Sequence, residues 1–590
     1  MTSPDKDSDF QRCASFLRLI RMLFQCILLI FYLTLCVRTS IAEFVPGSYL
    51  TLPQCITATE VSAVYPNDPG WRDAKVGERI RFQRRPVVVT YPINTTQVQW
   101  LVQCANSFKR MPDPRNGGHS NIGSSSMDNS VVIDISYMDS LVIDPVTQTA
   151  TVGGGIRLGP LYIELDKAGF TIISATQPTV GLSGAIASGG FGLQSRKYGV
   201  TGDFALEAEV VNWNGSLLIA NAESYPDLFW ALRGGGGGKY GIVTQWKLKL
   251  IPVWPKFTVF NIDYFYAGFE EVLTTFWNWA YASIEDLTVS FIFTNEEFRI
   301  QGHFLGTKDQ VHELVDKTGL FKLSNAKAVK HDECTHLGSR AYFLDKDRTC
   351  DKIYLLNVGN SPFGPNYAGD PSLQTTEVIL VTEGVIEGYG AAPEQQRELV
   401  KTKSMFFAKE LSIENITTIV ERAKAMPPGA QAELTTYGGI LGTQATDLTA
   451  FPHRNGVAYH LLLTVPLTGN ATIDEPALNF INTWEETLRP LSNGMSYVGY
   501  EDEDLPNPGL SYFGGNLEAL KNIDSIYDPN NVFNSGQSLN QTELPIVNEK
   551  CPYIVGGDPP GRRSAGVKIN ENNLIYITPI LITFIILIAF

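Results

Sequence analysis

The stretch of this sequence with the clearest chemical potential is RNGGHS at residues 115–120. Its two glycines carry no side chains, so the backbone can approach a bulky ligand and expose peptide N–H groups. His119 follows on a turn where no apolar pattern requires an imidazole. A surface-loop histidine fits the same hexapeptide, so this motif alone leaves a ligand-binding role and a surface role equally open.

Three further glycine-rich stretches accompany this motif. They are VGGG at 152–155, VGLSG at 180–184 continuing into GGFG at 189–192, and RGGGGGKYG at 233–241. Because amides without side-chain cover bind anions, several such loops predict a cradle for a pyrophosphate, and hence a dinucleotide ligand. Tight turns are the alternative use of these glycines.

Two common nucleotide-binding motifs do not account for the last glycine stretch. Gly238-Lys239 is followed by Tyr240 and not by Ser or Thr, which excludes a P-loop. Gly236, Gly238 and Gly241 fit the letters of GxGxxG, but they precede a strand instead of opening a helix. A Rossmann site is therefore not supported.

The elements that must position these loops follow from the residue pattern. Runs rich in β-branched residues predict strands at 87–90, 131–135, 149–152, 207–211 and 242–250. Apolar residues recur at helical spacing over 95–108, behind Thr95, which can cap the first turn. Further helices are expected at 412–425 and 474–488, so the sequence predicts an α+β protein.

Composition limits the possible class of protein. The chain has 590 residues with 44% hydrophobic, 11% aromatic and 18% charged residues, which excludes a disordered chain. This length predicts at least two domains. A net charge of −15 without a basic block disfavours nucleic acid as a partner.

Both ends of the chain indicate the secretory pathway. The apolar run at 22–37 follows three arginines and precedes small residues, which predicts a cleaved signal peptide over 1–42, with an uncleaved signal anchor as the alternative. Small residues, a polar spacer and the apolar run at 574–590 predict a GPI signal, with a tail anchor as the alternative. Sequons that fit this location begin at Asn94, Asn214, Asn415, Asn470 and Asn540.

The cysteines outside the leader are disulfide candidates in an oxidising compartment. We expect Cys55 to pair with Cys104 and Cys334 with Cys350, leaving Cys551 odd. The stretch 331–336, HDECTH, offers metal-ligand types, but its spacing matches no standard zinc pattern and its cysteine is assigned to a disulfide. We therefore predict no metal site.

Taken in order, the motifs resemble one flavoprotein family. RNGGHS, VGLSG with GGFGLQSRKYG, DLFWALRGGGGGKYGIVT, YVGYED and NVFNSGQS resemble the berberine bridge enzyme-like and oligosaccharide oxidase group of FAD-linked oxidases, of the vanillyl-alcohol-oxidase type, over roughly residues 80–540. The resemblance implies a bipartite PCMH-type FAD-binding domain and a substrate domain with an antiparallel sheet flanked by helices. The expected parts are 43–255 (FAD domain, N-terminal part), 256–480 (substrate domain), 481–545 (segment returning to the FAD domain), 546–573 (linker) and 574–590 (GPI signal or tail anchor).

The resemblance also implies how the cofactor is held. His119 matches the histidine that the family joins covalently to FAD. Many members add a second bond from a cysteine three residues before the Val-Gly of the second glycine motif; that position is Gln177 here, which predicts a single link. The other cofactor-binding positions implied are Arg115, Gly117, Gly118, Ser120, Val180, Gly181, Gly184, Gly189, Gly190, Tyr198, Gly199, Asp203, Ile242 and Val243.

The motif YVGYED at 497–502 resembles the family's Y-x-N-Y-x-D, with Gly499 in place of Asn. The resemblance implies a tyrosine that abstracts the substrate hydroxyl proton while hydride leaves to the flavin N5. A phenol titrates near pH ~10, so this role needs cationic or hydrogen-bonding help. We expect Tyr500 to be the base and Tyr497 to orient it; packing against the flavin edge is the alternative role.

Some members use a carboxylate or glutamine on the strand after an HRxG pair. FPHRNG at 451–456 matches the approach, but the corresponding strand position is near Leu462 and is apolar. A glutamate base is not expected on this strand, although His460 could reach the site.

The resemblance implies a secreted or surface-anchored oxidase that passes hydride from an alcohol to FAD and electrons to dioxygen, releasing hydrogen peroxide. The anomeric hydroxyl of a sugar or oligosaccharide is the favoured substrate, and a small aromatic, terpenoid or alkaloid metabolite is the alternative. A catalytically inactive surface protein that retains the flavin fold is the alternative of another class. We also expect a monomer, held on a membrane through its C-terminal tail.

Overall fold

The computed structural model describes residues 44–320 except 46, then 326–358, 398–408, 411–535, 537 and 539. All of these belong to one structural unit, residues 1–548. The signal, linker and tail segments predicted at 1–42, 546–573 and 574–590 lie outside the described residues, as do Asn540 and Cys551. Within the described ranges, no helix is long and apolar enough to cross a membrane.

The strands alternate with helices along the first half of the chain. In chain order the strands are β1 (Ser62–Val64), β2 (Val88–Tyr91), β3 (Pro112–Arg115), β4 (Val131–Asp134), β5 (Leu141–Asp144), β6 (Thr149–Gly153), β7 (Phe170–Thr171), β8 (Ala205–Val211), β9 (Leu217–Asn221), β10 (Ile242–Lys249), β11 (Ile251–Pro252), β12 (Phe257–Tyr264), β13 (Leu287–Phe293), β14 (Phe298–Phe304), β15 (Ala326–Cys334), β16 (Val400–Phe407), β17 (Gln431–Thr436) and β18 (Tyr459–Pro466).

The helices are short near the glycine loops and longer in the second half of the chain. They are α1 (Leu52–Ala58), α2 (Trp71–Ala74), α3 (Thr95–Ser107), α4 (Leu158–Lys167), α5 (Leu182–Ala187), α6 (Ser195–Tyr198), α7 (Pro226–Ala231), α8 (Phe269–Ala280), α9 (Lys308–Asp316), α10 (His336–Tyr342), α11 (Ile413–Lys424), α12 (Ala471–Leu488), α13 (Pro508–Phe513) and α14 (Leu517–Tyr527).

Two sheets carry the glycine loops. The first has the order β1-β2-β4-β3 and the second the order β5-β6-β10-β8-β9. In the first sheet β4 pairs in parallel with both β2 and β3, whereas the second sheet is antiparallel throughout. The RNGGHS loop therefore leaves the end of β3 at a sheet edge.

The second half of the chain builds a seven-stranded antiparallel sheet with the order β15-β12-β14-β13-β17-β18-β16. Alternate residues of its strands, such as Val289, Leu434 and Leu461, pack into an apolar core with helices α8, α11 and α12. The residues between them point to the other face, because successive side chains of a strand alternate. One face of the sheet thus packs against the core, and the opposite face is available to polar residues.

This architecture confirms the predicted α+β fold with an antiparallel sheet flanked by helices. The five predicted strands correspond to β2, β4, β6, β8 and β10 within two residues at each end. The predicted cap of the first long helix was wrong: Asn94 caps α3 by accepting from Gln97 N, while Thr95 is the first helical residue and donates to Glu209. The domain bounds stay predictions.

Both expected disulfides are present. Cys55 pairs with Cys104, joining α1 to α3, and Cys334 pairs with Cys350. The Cys334 thiolate is therefore unavailable to a metal, which agrees with the interpretation of 331–336.

Candidate active site

A cavity of about 410 Å³ lies between the glycine loops and the polar face of the seven-stranded sheet. This volume falls within the roughly 300–1,000 Å³ of ligand pockets. The predicted site residues that line it are His119, Arg115, Gly117, Gly118, Ser120, Gln177, Val180, Gly181, Gly184, Gly190, Ile242, Val243, Tyr497 and Tyr500. The cavity thus brings together motifs from both ends of the folded region.

The RNGGHS loop is anchored at its first residue. Arg115 is 1% exposed; its Nε donates to Asp134 Oδ2 at 2.7 Å and its Nη2 to the Ala74 carbonyl at 2.7 Å. A Cβ on Gly117 would lie 2.4 Å from Gly181 N, so only glycine lets the two loops meet. Arg115 and Gly117 therefore fix the position from which His119 faces the cavity.

The His119 imidazole is held in its neutral form. Burial lowers its pKa well below the ordinary value of histidine, and the positive charges of Arg79 and Arg157 lower this pKa further. Its Nε2 lies 2.9 Å from Thr179 Oγ1. A neutral imidazole keeps a nitrogen lone pair, which is what bond formation to an electrophilic carbon requires.

The second glycine loop fits a dinucleotide. Asn116 ties it to the first loop, since its Oδ1 accepts from Ser183 N at 3.0 Å and its Nδ2 donates to the Gly155 carbonyl at 2.6 Å. Gly184 lines the cavity, and outside its own helix a Cβ there would meet none of the described residues within 4 Å. No protein contact therefore requires Gly184 to lack a side chain, whereas a ligand close to the backbone would.

Not every glycine motif serves the cavity. A Cβ on Gly154 would lie 2.2 Å from the Val243 carbonyl oxygen and one on Gly155 only 1.6 Å from that of Ile135. The stretch 153–155 is therefore a tight backbone crossing, which is the alternative use of these glycines.

Four predicted cofactor positions do not line the cavity. Asp203 forms an ion pair with Arg454 at 2.5 Å, and a Cβ on Gly199 would lie 2.3 Å from Asp203 Oδ2. The Tyr198 hydroxyl accepts from Trp254 Nε1, and a Cβ on Gly189 would meet the Phe451 ring at 2.5 Å. These four residues, Gly189, Tyr198, Gly199 and Asp203, make contacts within the protein that support the loop.

The two predicted catalytic tyrosines face the cavity together. The rings of Tyr497 and Tyr500 lie 5.3 Å apart at 78°, and the His460 ring stacks on Tyr500 at 5.7 Å and 17°. The Tyr497 backbone N–H donates to Ser404 Oγ at 2.8 Å. A Cβ on Gly499 would lie 2.5 Å from Tyr497 Cε1, so glycine here makes room for the Tyr497 ring.

The pKa values of both phenols are raised, and a nearby cation opposes this shift at Tyr500. Burial raises the pKa of Tyr497 to about 12. Burial, Tyr497 and Glu433 raise the pKa of Tyr500 above its ordinary value, whereas Arg79 lowers it. Arg79 lines the cavity and is therefore the cationic help that a phenolate at Tyr500 would need.

A hydrogen-bonded link joins the histidine loop to the tyrosine motif. Ser120 Oγ donates to Glu501 Oε2 at 2.6 Å, and Ser124 Oγ donates to the same oxygen at 2.9 Å. The next residue in the chain, Asp502, accepts a hydrogen bond from Lys403 Nζ at 2.8 Å. The residues that directly follow His119 and Tyr500, far apart in the chain, are thus joined by a hydrogen bond.

The cavity is also lined by charged residues that were not predicted as site residues, among them Arg79, Lys239 and Glu433. Lys239 is 5% exposed and donates to the Gln537 carbonyl at 2.8 Å, which joins the glycine-rich loop to the C-terminal segment. Glu433 lies on β17 directly across from Leu462 of β18. Alternation along β17 could have placed Glu433 on the polar face, but only the register shows that this face borders the cavity.

Two protein families match the parts of the chain that line the cavity. The FAD binding domain family matches residues 86–221, and the berberine and berberine like family matches residues 496–540. These two ranges supply the His119 loop and the Tyr500 motif.

Individual relatives match over most of this chain. The FAD-linked oxidoreductase pytB of Aspergillus terreus is 30% identical over 475 residues, which cover 78% of this chain but only 58% of that protein. Reticuline oxidase of Papaver somniferum is 28% identical over 77% of this chain and 84% of that protein. The solved structure of BBE-like 1 from Physcomitrella patens superposes with a TM-score of 0.71 at 26% identity, covering 84% of this chain and all 100% of that one.

The matched families, the shared fold and a cavity lined by glycine loops agree with one another. The FAD binding domain and the berberine and berberine like domain of this chain support the berberine bridge enzyme-like group of FAD-linked oxidases, and its similarity to FAD-linked oxidoreductases over most of its length supports that class of enzyme.

Proposed function

We propose that this protein oxidises an alcohol, with FAD joined to His119 by a single covalent bond and Tyr500 as the proton acceptor. The observation that carries this proposal is that a neutral imidazole and a half-buried tyrosine line one cavity. Gln177 also lines the cavity and has no thiol, so it offers no second attachment atom. His119 and Gln177 together support the single link.

The chemistry divides between cofactor and protein. FAD, when bound, accepts a hydride from the substrate and passes the electrons to dioxygen, which gives hydrogen peroxide. Tyr500 accepts the proton of the substrate hydroxyl, and the charge of Arg79 stabilises the phenolate on which this depends. Tyr497 packs edge-on against Tyr500 and restricts its ring.

The favoured substrate is the anomeric hydroxyl of a sugar or oligosaccharide, because the sheet side of the cavity presents hydroxyl, carboxylate and imidazole groups. A small aromatic, terpenoid or alkaloid metabolite is the alternative, and the similarity to a reticuline oxidase favours an alkaloid among these. An inactive surface protein would tolerate Gly499, Gln177 and Leu462. It would have no physical reason to keep both His119 and Tyr500 at one cavity.

We further propose that the protein works as a monomer in the secretory pathway or at the cell surface, anchored through its C-terminal tail. The sequon residues Asn94, Asn214 and Asn470 are all exposed, as glycan attachment requires. The two disulfides also suit an oxidising compartment.

The decisive experiment is to express the secreted chain, denature it in acid and measure flavin absorbance that stays with the polypeptide. We expect the wild-type protein to retain the flavin and His119→Ala to release it, whereas Gln177→Ala retains it because residue 177 carries no link. Flavin that remains covalently bound in His119→Ala would assign the bond to another residue. A colourless wild-type protein that stays colourless with added FAD would refute the proposal.

A further inference from the structure

Resting on the proposed function, we propose that Glu433 and His460 form a hydrogen-bonding subsite that determines specificity. This subsite selects substrates with a hydroxyl or ammonium group on the carbon next to the one oxidised.

The first observation is where Glu433 lies. On β17, Ala432 and Leu434 point into the apolar core, so Glu433 and Thr435 point to the opposite face, which borders the cavity. The cavity-lining residues of β13, β17 and β18 are Thr288, Ser290, Glu433, Thr435, His460 and Leu462. Glu433 is the one carboxylate among these strand residues. It lies directly across from Leu462, the apolar position at which some family members have a carboxylate.

The second observation is the direction of the hydrogen bonds that end at Glu433. Thr435 Oγ1 donates to Glu433 Oε1 at 3.1 Å, and the hydroxyls of Thr435 and Ser290 lie 2.8 Å apart. Since the single proton of Thr435 goes to Glu433, Ser290 donates to Thr435. No described residue donates to Glu433 Oε2. A carboxylate only accepts, so this oxygen is open to a donor from a ligand in the cavity.

The third observation is the imidazole of His460. His460 is 6% exposed and lines the cavity, and its Nε2 has no hydrogen-bond partner within the described part of the chain. Burial lowers the pKa of His460 to about 3, so the ring is neutral. A buried polar atom without a partner is costly, and a substrate group would satisfy it. Because His460 stacks on Tyr500, that group lies close to the proton acceptor.

Together the two side chains discriminate by chemistry. A carboxylate and a neutral imidazole bind neutral hydroxyl or cationic ammonium groups, whereas a substrate with hydrogen at that carbon leaves both unpaired. A site built to bind a donor rejects an analogue that lacks it, because the buried polar groups of the site then lose their partners. Glu433 also disfavours an anionic group at the same position.

The test uses three sugars that share an anomeric hydroxyl and differ only at the neighbouring carbon: glucosamine, glucose and 2-deoxyglucose. Peroxide release by the flavin-loaded protein gives kcat/KM for each. We expect the wild type to prefer glucosamine and glucose over 2-deoxyglucose by roughly 10-fold or more. Glu433→Gln should lower kcat/KM for the first two by roughly 10-fold to 100-fold and for 2-deoxyglucose by less than about 3-fold. Glu421→Gln, on the exposed side of α11, is the matched control and should change none of them.

Flavin absorbance of each variant shows that it is folded and loaded. Equal losses of kcat/KM on all three sugars would overturn the inference, because Glu433 would then act in the reaction itself. Unchanged kcat/KM on all three sugars would also overturn it. If none of the sugars is oxidised but benzyl alcohol reduces the flavin, this inference fails and the proposed function stands. If no alcohol reduces the flavin, both fail.

Discussion

At the scale of single residues, position 499 shows how a missing side chain shapes the site. The Tyr497 ring occupies the space that a Cβ on Gly499 would fill, at 2.5 Å from Cε1. The family motif has Asn at this position, and this chain has Gly499. The position of the Tyr497 ring therefore does not follow from the family motif alone. Tyr497 is in turn one wall of the space around Tyr500.

Gly499→Ala should therefore displace the Tyr497 ring and lower turnover by roughly 10-fold or more, because a misplacement of about 1 Å is enough for such losses. Its free energy of unfolding should change by less than about 1 kcal/mol, since the ring borders open space. Gly515→Ala is the control, as a Cβ there meets nothing within 4 Å. Unchanged turnover with the natural substrate would show that the position of Tyr497 is not needed.

The pH dependence of the reaction should report Tyr500. Its folded pKa is raised by burial and lowered by Arg79, so the phenol is neutral near pH ~7 and kcat/KM should rise as the pH becomes alkaline. In Arg79→Met the opposing positive charge is lost, the pKa of Tyr500 rises further and the alkaline limb moves to higher pH. Arg79→Lys should restore part of this shift. A limb that does not move, or one that survives Tyr500→Phe, would contradict the assignment.

At the scale of elements, β16 and α12 hold the tyrosine motif through a buried ionic cluster. Lys401 and Lys403 of β16 are each 1% exposed and both contact Asp502, which follows the motif tyrosines by two residues. Lys403 also contacts Glu485 of α12 at 2.8 Å. Burial alone would lower the pKa of Lys403, but Asp502 and Glu485 raise it overall, so the cluster stays charged.

Lys403→Met should leave Glu485 without this partner and Asp502 with one lysine fewer. Removing one member of a buried ion pair destabilises a protein by about 3 kcal/mol or more, which urea unfolding would measure. Lys424→Met removes an exposed pair with Glu421 on α11 and should cost less than about 1 kcal/mol. Equal costs for the two variants would mean that the buried cluster contributes no more than a surface pair.

Local pattern was sufficient to predict five of the strands and three of the helices, but not their surroundings. The strands around Val132 and Trp246 were predictable because side-chain alternation and β-branched runs are local properties. Thr95 was wrongly predicted as the cap of α3 because Asn94 and Thr95 both have side chains that can cap a helix. The choice between them depends on Glu209, which is distant in the chain and accepts from Thr95. Glu433 could not be assigned because only strand pairing shows which face borders the cavity.

At the scale of the whole molecule, the site joins distant parts of the chain. Ser120 and Glu501, whose side chains are hydrogen-bonded, are 381 residues apart in the sequence. No local pattern reports such a contact, and the order of motifs anticipated it only through resemblance to a family. Four positions that the family motif implied as cofactor-binding, such as Asp203, do not line the cavity. A motif alone does not separate residues that contact a ligand from residues that support the loop.

The two disulfides should differ in how much they stabilise the molecule. Cys55–Cys104 closes a segment with a sequence separation of 49, and Cys334–Cys350 one of 16. Because the entropy lost by the unfolded chain grows with loop length, replacing the first pair with alanines should cost about 4 kcal/mol and replacing the second about 3 kcal/mol. Denaturant unfolding of the two double variants would measure this, and a larger loss for the second pair would contradict it.

The link between Ser120 and Glu501 has a consequence for biosynthesis. The ribosome makes His119 long before Tyr500, so a nascent chain presents the attachment histidine without its proton acceptor. If the proposed reaction is correct, a partly translated chain cannot turn over alcohol, and peroxide production begins only once translation of the C-terminal segment is complete.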